Sequence, residues 1–144
     1  MSSSADETAI RHIIDEWVEA FREKSVARIV ATHAADIVSF DILPPLRYIG
    51  IENYLEPWHD TFAAFDGPIV QEIHDLDIAI GGDVAFSHSL NRMTGTYRDG
   101  RTADFWFRST TCYRKIDGRW LVVHHHTSAP TNFETGSAVL DLVP

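Results

Sequence analysis

A single cysteine in 144 residues excludes a disulfide framework and any zinc site built from several thiolates. That residue, Cys112, stands in an aromatic-rich segment and reads as a small buried hydrophobe. No apolar run reaches the roughly 18 residues needed to cross a bilayer. Basic side chains are scarce: 12 Lys and Arg face 21 Asp and Glu, a formal charge of −9 at pH 7. Such a surface repels polyanions, so no nucleic-acid partner is expected. The opening Met-Ser-Ser-Ser-Ala-Asp-Glu lacks the basic and apolar regions of a signal peptide, and the expectation is a soluble, cytoplasmic protein with no membrane partner. Nucleotide motifs, phosphate-binding loops and cofactor-lysine contexts are missing too, so no organic cofactor is expected.

What is present suffices for one core: 44% of residues are hydrophobic and 11% aromatic. The expectation is a single domain over residues 1–144, with a core from about residue 6 to 130 and a tail, 131–144, free to lie against a partner. Ser4 and Glu7 have the form of a capping box, followed by Ile10, Ile13, Ile14, Trp17, Val18 and Phe21 at helical spacing. Ser25 is a candidate N-cap for a shorter helix from Val26 to His33. A short strand, 36–41, follows, then a second at Arg47-Tyr48-Ile49 after Pro44-Pro45. Ile51, Tyr54, Leu55, Trp58, Phe62 and Phe65 mark a third helix, which Gly67-Pro68 should end. Turn signals at 81–83, 98–100 and 116–118 divide residues 69–128 into four long strands joined as a meander. Helices first and a long antiparallel meander second predict an α+β domain with its helices on one side of the sheet. Strands this long twist and coil, so the sheet can curl around the helices and leave an open mouth.

The richest motif is the last hairpin, Asp117-Gly118-Arg119-Trp120 running on to His124-His125-His126-Thr127-Ser128-Ala129-Pro130. With the element order and Phe40-Asp41-Ile42, it resembles the SnoaL-like, ketosteroid-isomerase-like superfamily of nuclear-transport-factor-2-like cones. Tyr113 through Pro130 is also similar to the C-terminal strands of the calcium/calmodulin-dependent kinase association domain. The resemblance implies three helices on a strongly curved antiparallel sheet. It places Asp41 on the position of the isomerase's catalytic base, Trp17 where the oxyanion-hole tyrosine belongs and Thr111 where the protonated acid belongs. The arginine positions of the kinase domain hold His88, Thr111 and Thr127. The cone hosts both enzymes and plain assembly modules.

Asp41 sits between Phe40 and Ile42, a setting that raises a carboxyl pKa and suits a general base. An Asp before a Pro-rich turn also commonly just accepts from backbone amides. His88 is either a general acid opposite Asp41 or a buried structural histidine. In the triple histidine, His124 and His126 share one strand face and His125 and Thr127 the other. A three-residue loop pairing Lys115 with Arg119 puts Ser109, Thr111, Val123, His125 and Thr127 on one face, and Trp106, Arg108, Thr110, His124 and His126 on the other. A two-residue turn changes that pairing. The resemblance assigns the first set to the pocket and the second to the outer, dimerising face. Trp17 and Trp58 are core packing or aromatic pocket walls, and Tyr48 offers a hydroxyl near the mouth. His124 and His126 could share a metal ion, but no third ligand is at hand in the sequence, and no metal is expected.

Two functions follow. One is a small-molecule-binding enzyme doing general acid/base chemistry of the isomerase, dehydratase or cyclase type on an apolar or cyclic metabolite. The other is a non-catalytic ligand-binding or oligomerisation module. The expected quaternary state is a homodimer through an outer face carrying Trp106, Trp120 and Val122.

Overall fold

The computed structural model describes residues 4–144. Helix α1 (Ser4–Glu23) buries Ile10, Ile13, Ala20 and Phe21 on one face. Ser4 already lies inside the helix and Glu7 pairs with Arg11, so no capping box forms between Ser4 and Glu7. Helix α2 (Val26–Thr32) is capped by Ser25, whose Oγ accepts from the Arg28 amide. Strand β1 (His33–Phe40) begins three residues before the expected Asp36 and ends one short of Asp41. Strand β2 (Tyr48–Ile49) pairs back on it. Helix α3 (Ile51–Ala64) buries Tyr54, Trp58 and Phe62, one turn apart, the last two against Phe21.

The expected helix stop at Gly67-Pro68 is corrected by the structure. Strand β3 (Phe65–Gly81) begins at once, and the dipeptide occupies an irregularity in its pairing, between Asp66 and Val70. Strands β4 (Val84–Tyr97), β5 (Thr102–Ile116) and β6 (Arg119–Ser128) complete the meander. The six-stranded sheet has the order β2-β1-β6-β5-β4-β3. Every neighbouring pair is antiparallel except β1 with β6, which are parallel. Bulges in β3 and β6 bend the long strands, and the concave face wraps the helices.

The last turn also departs from expectation. Ile116 pairs with Arg119 across a two-residue turn, Asp117-Gly118, with both residues at positive φ, 51° and 79°. The pairing then shifts between Tyr113–Val122 and Cys112–His124, which leaves Val123 as the extra residue of a bulge. Trp120 and Val122 are therefore buried inside, 5% and 3% exposed, not on the outer face. Trp120 Nε1 donates to Asp6, tying β6 to α1. The tail does not extend away from the body: strands β7 (Thr131–Asn132) and β8 (Ser137–Ala138) form a small hairpin beside the sheet's open end.

Candidate functional site

The concave sheet face and the helices enclose a cavity of about 410 Å³. Its apolar wall is Trp17, Phe21, Trp58, Met93, Phe105 and Phe107, with Ala138 and Leu140 of the tail at its edge. Polar side chains interrupt this wall, among them Asp41, Gln71, His125 and Thr127.

Asp41 comes to the cavity because β1 runs parallel to β6 and stops just before it. Thr127 Oγ1 donates to Asp41 Oδ1 at 3.0 Å while accepting from the Ile42 amide at 2.9 Å. Burial raises the Asp41 pKa, and the bonds from Thr127 and from the Ile42 and Leu43 amides oppose that rise without cancelling it. Asp41 also borders an outer groove of about 640 Å³ with Phe40, Arg47, Ile49 and His126. It thus stands at the rim, between the interior and the outside.

His125 is the deepest ionisable group on the wall. Its Nε2 lies 2.9 Å from Ser109 Oγ, its Nδ1 3.5 Å from the Tyr54 hydroxyl, and Trp17 meets its ring edge-on. Burial, aided by the neighbouring His33, His124 and His126, lowers its pKa to about 3, so it is a neutral imidazole at ordinary pH. Behind it lies a second, smaller space of about 40 Å³ lined by Ser87, Ser89, Asn91, Ser109 and Thr111 among others. Trp17 and His125 border both spaces.

Of the residues expected to act together, the structure gathers Asp41, Trp17, Trp58, His125 and Thr127 at one cavity and Ser109 and Thr111 at the space behind it. His88 is not among them. It pairs with Thr110 on the convex face, where its Nε2 meets Asp77 at 3.4 Å and its side chain is 56% exposed. It is neither opposite Asp41 nor buried. Tyr48 is likewise no part of the wall: it is the buried residue of β2, its ring packs on Tyr54, and its hydroxyl donates to the Pro44 carbonyl. Arg108, His124 and His126 take the outer face. There Arg108 donates to Ser128 Oγ, His124 Nδ1 donates to the Val38 carbonyl, and Phe40 packs against both imidazoles. No cluster of three or more His, Cys, Asp or Glu able to hold a metal ion occurs among the described residues.

Sequence reasoning missed Gln71 and Asn91, both nearly fully buried polar residues on the concave face. Gln71 pairs with Met93 and carries a buried Oε1 with no partner. The Trp17 Nε1 is also buried without a partner. The signal for Asn91 was its place in an alternation whose polar members, Ser87, Ser89 and Asn91, face inward.

A curved sheet wrapped on three helices around a hollow defines the nuclear-transport-factor-2-like cone. Residues 10–132 match the SnoaL-like domain, and the chain belongs to that family. A solved NTF2-like protein of unknown function from Pseudomonas putida KT2440 is 36% identical with a TM-score of 0.89, each chain covered over 100% of its length. A provisionally assigned calcium/calmodulin-dependent protein kinase II association domain from Xanthomonas campestris superposes with a TM-score of 0.76 at 22% identity, covering 90% of this chain and 89% of that one. A provisionally assigned dehydratase of the NTF2-like family from Streptomyces avermitilis gives 0.77 at 14%, covering 88% and 97%. The last two likenesses show the fold alone. Among curated proteins none matches. No helix among the described residues is long and apolar enough to cross a membrane.

Proposed function

We propose that the protein binds an apolar or cyclic metabolite in the cone and that Asp41 exchanges a proton with it. The observation that carries this reading is a carboxyl on the rim of an aromatic-walled cavity whose pKa burial raises, which makes it a stronger base than a free carboxylate. Asp41 is the base toward a carbon acid or a bound water. Trp17, at the position the family gives to an oxyanion donor, offers a buried and unpartnered indole N–H to the charge that develops. Thr127 positions the carboxylate. His88, on the convex face, has no part in the reaction. Isomerisation, dehydration and cyclisation all begin with such a transfer.

The test is deuterium exchange. Cyclic ketones and enones are incubated with the protein in heavy water, and loss of the α-proton signal is followed by NMR. Wild type should accelerate exchange of at least one ring ketone, and Asp41→Asn should slow it by about 100-fold or more. Equal rates in the two proteins refute the proposal.

A second reading has its own support: three hydrogen bonds, from Thr127 and two backbone amides, already occupy Asp41, as expected of a structural carboxylate in a non-catalytic binding or assembly module. Against it, Trp17 and Trp58 leave the cavity open. Either reading accommodates a homodimer through the convex face, where Phe40, Val84 and Phe86 are exposed. Light scattering that finds a monomer at micromolar concentration removes that element.

A further inference from the structure

The small space behind His125 differs in kind from the cavity in front of it. Its volume of about 40 Å³ is room for about three waters, or for a polar group of two or three heavy atoms. No Asp, Glu, Lys or Arg borders it. Its polar lining is partly self-satisfied: Ser87 Oγ bonds the Tyr113 hydroxyl at 2.8 Å, and Ser109 bonds His125.

Besides the Trp17 indole, two of its groups are left over. Asn91 is 1% exposed, and Ser89 Oγ donates to its Oδ1 at 2.7 Å, while its Nδ2 bonds no described residue. His33 is 7% exposed; its Nδ1–H donates to the Ile29 carbonyl at 2.7 Å, which fixes the tautomer and leaves the Nε2 lone pair with no partner. A donor and an acceptor free of protein partners thus both belong to buried residues that border one small space. Polar groups withdrawn from bulk water favour an occupant that meets them, so the space suits something that both accepts and donates.

We infer that this space is the head-group subsite of the cavity: the ligand has an apolar ring body against Trp58, Phe105 and Phe107, and a neutral head, a hydroxyl or primary carboxamide, that reaches past Trp17 and His125 to Asn91 and His33. Charged heads are rejected. A carboxylate would meet the His33 lone pair with no cation to balance it, and an ammonium would lose its water with no carboxylate to replace it. His33, held neutral by burial, with its pKa lowered to about 4, keeps that lone pair across the physiological range. This inference rests on the reading that the cavity takes a ligand, and it adds which end of the ligand goes in first and what that end is.

The probes are naphthylacetamide, naphthylacetate and methylnaphthalene, which share a ring body and differ in the head. Their affinities for the wild-type protein are measured by calorimetry, and the site by nuclear Overhauser contacts. The amide should bind about fivefold to tenfold tighter than methylnaphthalene, the worth of a net neutral hydrogen bond, and tighter still than the acetate. Its head protons should show contacts to Asn91 or Ser109. In Asn91→Leu the amide's advantage should vanish while methylnaphthalene binding persists. The wild-type comparison stands even where that variant does not fold. Equal binding of all three probes, or tighter binding of the acetate, overturns the head-group subsite and leaves the cavity reading intact. Binding of none overturns both.

Discussion

Two neutral histidines buried behind the cavity should make this protein lose stability once pH falls below about 6.5. His33 has its pKa lowered from 6.5 to about 4 and His125 to about 3, each chiefly by burial. Unfolding exposes both imidazoles and returns them to about 6.5. Above that value both states are neutral and the histidines add no pH dependence. Below it the unfolded chain takes up protons that the folded one refuses, so stability is lost as pH falls from 6.5 toward 4 and 3. At pH 5, about 1.5 pH units below the unfolded value, each residue costs about 2 kcal/mol, and the pair about 4 kcal/mol. That is a large share of the roughly 5–15 kcal/mol available to a domain. Asp41 works in the opposite sense. Its raised folded pKa favours the protonated folded state, adding stability as pH falls and offsetting part of the loss. Urea denaturation followed by tryptophan fluorescence at pH 7 and pH 5 measures the difference. The double variant His33→Gln, His125→Gln should be weaker at pH 7 but nearly flat across the window. A wild type equally stable at both pH values, or a double variant with the same slope, refutes the reasoning.

Thr127→Val removes a hydroxyl that serves two partners, the Asp41 carboxylate and the Ile42 amide. The Ile42 amide keeps only its bond to Asp41, and the loss of the hydroxyl's bonds should cost about 1 kcal/mol of stability in urea. Asp41, having lost a bond that favours its charged form, should titrate higher than in wild type when its carboxyl carbon is followed by NMR, and an unmoved titration contradicts the assigned geometry. Gly95→Ala tests the packing at the far end of the sheet. A Cβ there would stand 2.9 Å from Phe65 Cδ1 and 3.0 Å from Cε1. Phe65 is 2% exposed and stacked on Tyr97 at 4.4 Å, so it has no room to retreat. A loss of about 1–3 kcal/mol is expected, and an unchanged denaturation midpoint would show that the ring can move.

The architecture was legible wherever a pattern ran long. Ile10 to Phe21 and Tyr54 to Phe62 carry the 3.6-residue repeat of helices, and three turn signals separate strands of 17, 14, 15 and 10 residues. Gly67-Pro68 misled because a strand of that length tolerates a turn dipeptide as a pairing irregularity while β4 continues alongside. The last hairpin is more instructive. The expected three-residue loop was one residue too long, which should have turned every later side chain over. The bulge at Val123 inserts one residue and restores the parity, so Ser109, Thr111, His125 and Thr127 face inward as expected. Only the residues between turn and bulge, 119–122, change sides, and Trp120 and Val122 go inward. Nothing local in the sequence marks that bulge.

His88 was misplaced for a different reason, and that reason bears on function. Alternation along β4 correctly separates Phe86, His88, Leu90 and Arg92 from Ser87, Ser89, Asn91 and Met93. A strand with one face in a core is normally apolar on that face. Here the face with Phe86 and Leu90 is the convex one, and the concave face carries two serines and an asparagine. The inversion is confined to the stretch beside His125 and ends at Met93, where the wall turns apolar again. Burying those side chains is unfavourable for a core and sensible only for a lined space, since a polar group withdrawn from water must find a partner elsewhere. Ser87 and Ser89 find theirs within the protein, at Tyr113 and Asn91. Asn91 Nδ2 finds none, so the double variant Ser89→Ala, Asn91→Leu, which removes both ends of their bond, should be no weaker than Ser89→Ala, which strands the Asn91 carbonyl. Urea midpoints for the two variants compare them directly. A double variant weaker than Ser89→Ala would mean that the Asn91 amide is bonded within the protein, and that the space holds no place for a ligand's head.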